Sequence, residues 1–331
     1  MEILKTLQAL NACHGPSGDE RGVAAAIEKL ASPYVDECFS DTLGNLICHK
    51  KGNGPKVMFA AHMDTIGLIA THIDEKGFVH FGKVGGLYTH SVLHIPVRFR
   101  NGIRGLVSLD EGVEPKNAKL DDLYIDIGAR DREEAKTMVM VGDTAAFSGA
   151  LSGNGNRVMG PYLDNRAGCA VLLETMQQTQ HPTNDLYYVF TTQEEVGMRG
   201  AKPAAWAVDP EYALAVDVTC PDDQPGALHE ATTKLGGGAA IKIMDHSVLC
   251  HREVVAKLRQ LAAEKKIPAQ DDLLKVGGTD AGVIHVSRGG VRTGGVSIPC
   301  RYTHSQTELI DLADLEACVK LVQAFCESEF E

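Results

Sequence analysis

Val57-Met58-Phe59-Ala60-Ala61-His62-Met63-Asp64 decides the fold. An apolar strand ends abruptly in a histidine, and an aspartate follows two residues later. In open α/β sheets, ligands bind beyond the carboxyl ends of the strands. That rule puts His62 at such an edge, with Asp64 close enough to orient its ring. A histidine and an aspartate two apart also form ordinary surface pairs, so the reading depends on whether the arrangement recurs.

It recurs three times. Tyr187-Tyr188-Val189-Phe190-Thr191-Thr192 runs into Gln193-Glu194-Glu195-Val196-Gly197. Adjacent carboxylates at a strand's end point in different directions, so one can bind metal while its neighbour faces substrate. Ala213-Leu214-Ala215-Val216 ends in Asp217. An acid in so apolar a run is costly unless a cation or several donors meet it. Gly160-Pro161-Tyr162-Leu163-Asp164-Asn165 places another acid just before a helix, where Asp164 or Asn165 also reads as an N-cap. Finally, Ser297-Ile298-Pro299-Cys300-Arg301-Tyr302-Thr303-His304-Ser305 brings in a histidine after the last strand.

His62, Asp164, Glu195, Asp217 and His304 form a donor set of imidazole and carboxylate without thiolate. Such a set suits Zn²⁺, Co²⁺ or Mn²⁺ in an open, catalytic arrangement. Two histidines and three acids, one of them free to bridge, are the parts of a two-metal hydrolase. The eleven other histidines, among them His72, His80, His90 and His94, read as structural or surface residues.

Around these segments the chain alternates helix and strand, except in its middle. Helical spacing marks Ile3, Leu4, Leu7 and Leu10, then residues 21–30, 252–265 and 314–326. From about Leu68 to Gly149 the texture changes to short strand-like runs, with a short helix at Arg132–Met138. Turn signals such as Asp74-Glu75-Lys76-Gly77 and Asn101-Gly102 separate those runs. The order predicts an α/β domain over residues 1–67 and 150–331, interrupted by a small β module at 68–149. Leu87, Tyr88, Val92 and Leu93, with the strand edges, are expected to face a partner subunit.

The 331 residues carry a net charge of −12, and their 44% hydrophobic and 23% charged content is that of a globular protein. No basic cluster stands out, which argues against nucleic acid and anionic membranes as partners. There is no signal-like segment and no apolar span of membrane length, so a cytoplasmic location is expected. Nine cysteines without CxxC pairs read as buried small hydrophobes in a reducing compartment, not as disulfides.

The segments AHMDTIG, GPYLDNRAG, TTQEEVG, AVDVT, GGTDAG and RYTHS, in this order, resemble the M42 family of metallo-aminopeptidases. That family includes glutamyl, deblocking and tetrahedral aminopeptidases, and some members carry an endoglucanase label. The resemblance covers nearly the whole chain. It implies a mixed-sheet, zinc-exopeptidase-like catalytic domain with an inserted, barrel-like dimerisation domain. It also implies two divalent ions, bridged by Asp164, one held by His62 and Asp217 and the other by Glu195 and His304. Glu194 would be the general base, Asp64 would support His62, and short peptides would be the substrates. A dimer building a hollow dodecamer is implied as well. A metal-dependent deacylase or dipeptidase on the same scaffold is the alternative. Leu235-Gly236-Gly237-Gly238-Ala239, and Gln306 after His304-Ser305, depart from the family's usual pattern and are expected near the substrate pocket. Lys234, Arg288, Arg292 and Arg301 would favour an acidic N-terminal residue only if one of them faced that pocket.

Overall fold

The structure, a computed structural model, describes residues 3–180, 182–227 and 231–330. Two strand systems organise it. The larger is an eleven-stranded sheet built from β1 (Glu37–Ser40), β2 (Leu46–Lys50), β3 (Lys56–His62), β10 (Ser152–Asn154) and β11 (Arg157–Gly160). Its remaining strands are β12 (Asp185–Thr191), β13 (Tyr212–Thr219), β14 (Ala239–Met244), β15 (Ala269–Leu273), β16 (Arg292–Arg301) and β17 (Glu308–Asp311). At the centre β12, β3, β13 and β16 lie side by side and parallel, flanked by antiparallel strands on both sides.

Alternation along β3 explains why the centre is buried on both faces. Val57, Phe59 and Ala61 join the core cluster under helix Leu163–Gln178, whereas Met58 and Ala60 join a smaller cluster with helix Ala201–Val208. Helix Leu163–Gln178 is buried around almost its whole circumference. Helices Ile3–Asn11 and Leu312–Cys326 pack against it, and Leu312–Cys326 also lies directly on β14, β16 and β17.

The second system is a closed six-stranded antiparallel barrel formed by β4 (Gly67–Ile73), β5 (Val79–Val84), β6 (Pro96–Phe99), β7 (Arg104–Leu109), β8 (Leu123–Asp126) and β9 (Thr144–Phe147). It has its own core, including Leu68, Phe99, Val107, Ile125 and Phe147. The fold is therefore a mixed α/β sheet with a small β-barrel, as the sequence predicts. The Gly/Asn-rich stretch after the barrel is not a bare seam: Ser152–Asn154 and Arg157–Gly160 form a hairpin that joins the main sheet through β17.

Two expectations are corrected. Closure leaves the barrel without open edges, and Leu87 and Val92 are buried in its core with Leu93 packed against them. A barrel of short strands fills its interior partly from connecting segments, so apolar residues in those segments turn inward. Of the four residues expected at an interface only Tyr88 is exposed, at 63%. The cysteines are not all free either: Cys38 and Cys48 face each other across the β1–β2 ladder and form a disulfide. His181 and His229 lie outside the described residues.

Candidate metal centre

The parallel strands end along one edge, and each delivers a donor. β3 ends in His62, whose register partner on β12 is Thr191, three residues before Glu194. β13 carries Asp217, and the segment after β16 carries His304. Pairing between β3 and β13 stops at Ala60 and Ala215, two residues short of His62 and Asp217. Both side chains therefore stand where neighbouring strands part, the usual place for a site in such sheets. Asn165 occupies the opening, its Nδ2 donating to the Val216 carbonyl at 2.9 Å. Its Oδ1 accepts from Gly168 N at 2.9 Å, so the N-cap role falls to Asn165 and Asp164 is free to face the cleft. The Asp164–Asn165 peptide is cis.

Asp164 sits between two groups. Its Oδ1 lies 3.1 Å from His62 Nε2, which lies 3.5 Å from Asp217 Oδ1. Its Oδ2 lies 3.5 Å from His304 Nε2, which lies 3.3 Å from Glu195 Oε2. Ligands about 2.0–2.1 Å from a tetrahedral zinc are separated by roughly 3.3–3.4 Å, so these spacings are those of donors sharing a cation. Glu195 Oε1 is buried and has no hydrogen-bond partner among the described residues.

The electrostatics agree. Burial, then the charge of Asp164, pushes the Glu195 carboxyl up to about 8, and burial raises Asp217 and, more strongly, Glu194. Burial opposes charge on His62 too, yet Asp217, Asp164 and Asp64 outweigh it and hold the ring well above its ordinary value. His304 is likewise raised to about 10, against burial, by Asp164 and Glu195. Acids that burial and one another make reluctant to ionise strongly favour a divalent cation in their midst. The residues present fit a metal centre.

The M42 glutamyl aminopeptidase family matches residues 44–321. The chain belongs to this family. It is a peptide hydrolase of mixed α/β fold. A protein of Acetivibrio thermocellus is 46% identical over 98% of this chain and 99% of its own length. The structure is similar to an aminopeptidase from the archaeon Desulfurococcus kamchatkensis, with TM-score 0.95 and 37% identity over 98% of this chain and 94% of that one. It is similar also to the TET1 peptidase of Pyrococcus horikoshii, with TM-score 0.91 and 30% identity over 99% and 100%. That peptidase assembles into a tetrahedron or a large octahedral shell.

Two buried carboxylates hold this M42 site together without belonging to the donor set. Asp64 accepts from Glu194 N at 3.0 Å, Glu195 N at 3.2 Å and Ser17 Oγ at 2.6 Å. His62 Nδ1 lies 3.2 Å from the Asp64 carbonyl and 3.5 Å from its Oδ1, a tautomer-setting contact that leaves Nε2 turned to the cleft. Glu308 does the same for the other half: Oε2 accepts from Asp164 N at 2.8 Å and Oε1 from His304 N at 3.0 Å. Sequence reasoning found Asp64 by its spacing but missed Glu308. Its one signal was an acid in the apolar strand ELID, the pattern that marked Asp217.

The barrel also reaches the site. A Cβ on Gly86 would lie 2.8 Å from His304 Nδ1, and one on Gly85, whose φ is +80°, would lie 3.2 Å from Glu195 Cβ. The cavity at the centre has a volume of about 560 Å³ and is lined by the donors, Glu194, Tyr88 and a stretch around Gly277–Thr279. None of Lys234, Arg288, Arg292 and Arg301 lines it. Arg301 is forked onto Asp223 at 2.8 Å, and Arg288 lies over Trp206. The two departures from the family pattern also lie outside the cavity. Gly236 N and Gly238 N donate to Asp314, and Gln306 reaches the Ser148 carbonyl.

Glu308→Ala is expected to weaken metal binding by about 10–100-fold, because two donors lose their backbone anchor at once. Calorimetric titration with Zn²⁺ on a variant of unchanged circular dichroism measures it, and wild-type affinity would refute the anchoring role.

Proposed function

We propose that the chain is a two-metal aminopeptidase that removes the N-terminal residue from short peptides, with Glu194 as general base. The observation that carries this reading is Asp164, whose two oxygens face two separate histidine–carboxylate pairs. His62 and Asp217 would complete one ion's position, Glu195 and His304 the other, with Asp164 shared. Zn²⁺, Co²⁺ or Mn²⁺, bound there, would supply Lewis acidity and lower the pKa of a water toward neutrality.

The remaining work belongs to the chain. Glu194 lies beside the cluster, with Oε2 3.9 Å from His62 Nε2, and its backbone is tied to Asp64. Burial raises the pKa of its carboxyl and so makes the ionised form a stronger base, which suits a group that takes a proton from water and returns it to the leaving amine. Asp64 and Glu308 fix the donors beforehand, so little reorganisation is needed when charge develops. Cys220 lines the same cavity, with Sγ 3.0 Å from Thr303 Oγ1.

Assembly follows from the barrel, which we read as the dimerisation domain, residues 68–149, of a homo-oligomer. Met140 and Val141, 67% and 63% exposed on one barrel turn, are apolar groups better covered by a second copy. The shell formed by the Pyrococcus horikoshii relative supports a closed assembly that admits short peptides. Among the described residues no helix is long and apolar enough to cross a membrane.

Chelation is expected to abolish hydrolysis of amino-acyl p-nitroanilides, and Co²⁺, Zn²⁺ or Mn²⁺ to restore it with up to two ions per chain. Full activity in a metal-free preparation would sink the mechanism, and cleavage of N-acyl amino acids alone would favour a deacylase. Glu194→Gln should lower turnover by roughly 10²–10⁴-fold with metal content intact, whereas Glu195→Gln should lower metal content. The reverse pattern would overturn the assignment. Light scattering should find an oligomer that M140D/V141D shifts to smaller species. A monomer at micromolar concentration would refute the assembly and leave the chemistry standing.

A further inference from the structure

The cavity that opens from the donors runs past Met198, Val218, Leu274 and Val276, so a side chain entering from the metal centre meets a thioether and aliphatic walls. Besides the donors and Glu194, two charged side chains reach its lining among the described residues, Lys242 and Asp245, and both are already engaged. Lys242 is buried, with Nζ 2.7 Å from Asp272 Oδ2, and Asp272 is buried completely. Thr219 Oγ1 completes that group, 3.1 Å from Asp272 Oδ1 and 3.5 Å from Lys242 Nζ. Asp245 turns Oδ1 onto Ser247 N at 2.7 Å, Ser247 Oγ at 2.7 Å and Val248 N at 3.0 Å. Its Oδ2 faces Thr279 Oγ1 at 3.5 Å.

We infer that this cavity selects an uncharged, aliphatic N-terminal side chain, of the leucine or methionine kind, and disfavours acidic and basic ones. The inference rests on the aminopeptidase reading above. An acidic side chain could gain a cation only by drawing Lys242 off Asp272, which would strand a fully buried carboxylate. A basic side chain would meet the Lys242 charge, and of the acids outside the donor set Glu194 is committed to the water and Asp245 already holds a turn together. A neutral side chain disturbs neither arrangement and gains burial against the four apolar residues. Met198 suits such a wall because its flexible thioether adapts to branched and unbranched shapes. It follows Gly197 in the left-handed region at φ +53°, which fixes its backbone while the side chain stays adjustable.

The test is a panel of amino-acyl p-nitroanilides on the intact, metal-loaded enzyme, read as kcat/KM. Leucyl and methionyl substrates are expected to exceed glutamyl, aspartyl, lysyl and arginyl ones by at least about tenfold. Free leucine should inhibit more strongly than free glutamate or lysine, an ordering that does not depend on the leaving group. Val276 is 54% exposed and outside the catalytic machinery, so Val276→Lys should fold normally. By adding an uncommitted cation it should raise the glutamyl-to-leucyl ratio by at least about tenfold, mainly through KM. Hydrolysis that favours a charged residue would overturn the inference and leave the aminopeptidase standing. A ratio unmoved in Val276→Lys would overturn the placement of the side chain in this cavity. Absence of hydrolysis across the whole panel would remove the aminopeptidase reading and this inference with it.

Discussion

Asp64 has no accessible surface, and a carboxylate taken out of water must be repaid by donors. Its donors are the Ser17 hydroxyl, the amides of Glu194 and Glu195, and the His62 ring beside it. Burial alone would push its pKa up, but these partners hold it below the usual carboxylate range. The charge is therefore kept, and keeping it fixes three separate pieces of chain. Strand β3, the turn after β12 and the loop after helix Ile3–Asn11 meet at one side chain. That loop is further pinned by the bridge between Pro16 and Thr65. Glu308 repeats the device for Asp164 and His304. Two acids outside the donor set thus determine where four of the metal-facing side chains begin.

The backbone at these anchors is not relaxed. Tyr162, Gln193, Tyr302 and His304 all have positive φ, at 64°, 56°, 61° and 62°. Each such residue costs about 1–2 kcal/mol relative to a right-handed conformation. All four flank or carry site residues, where strain persists because the surroundings over-determine it. The offsetting stability comes from the core under helix Leu163–Gln178, far larger than the site itself. Sequence, packing and site are linked by that exchange: apolar strands end where polar, strained turns begin.

Much of this was legible because it is local. A strand that ends in a donor can be read from eight residues, and four such endings point to one edge of one sheet. Helices Arg132–Met138 and Arg252–Lys265 match their spacing because amphipathic periodicity is also a local property. Glu308 was not legible, because its value depends on Asp164, 144 positions away, arriving above it. Leu87 and Val92 were misread for the same reason. Their inward turn follows from barrel closure, which no short window reveals. The Gly236–Gly238 loop was expected near substrate, yet it spends its amides on Asp314.

Barrel and catalytic sheet meet at Gly85 and Gly86, beside the site itself. No side chain fits at Gly86, because a Cβ would lie 2.8 Å from His304 Nδ1 and 3.1 Å from its Cε1. Gly85 is equally confined, by Ile66 Cγ2 at 2.8 Å and Glu195 at 3.2 Å. The end of β5 is thus a wall of the metal centre, and Tyr88, two residues on, stands on the cavity's rim. Further contacts hold the barrel in register with the sheet: His14 with Thr144 at 2.8 Å, and Arg98 with the Ala12 carbonyl at 3.2 Å. A barrel displaced by a fraction of an ångström would change the space beside His304 and Glu195, the histidine–carboxylate pair on the Oδ2 side of Asp164. The position of the barrel therefore bears directly on the geometry of His304 and Glu195.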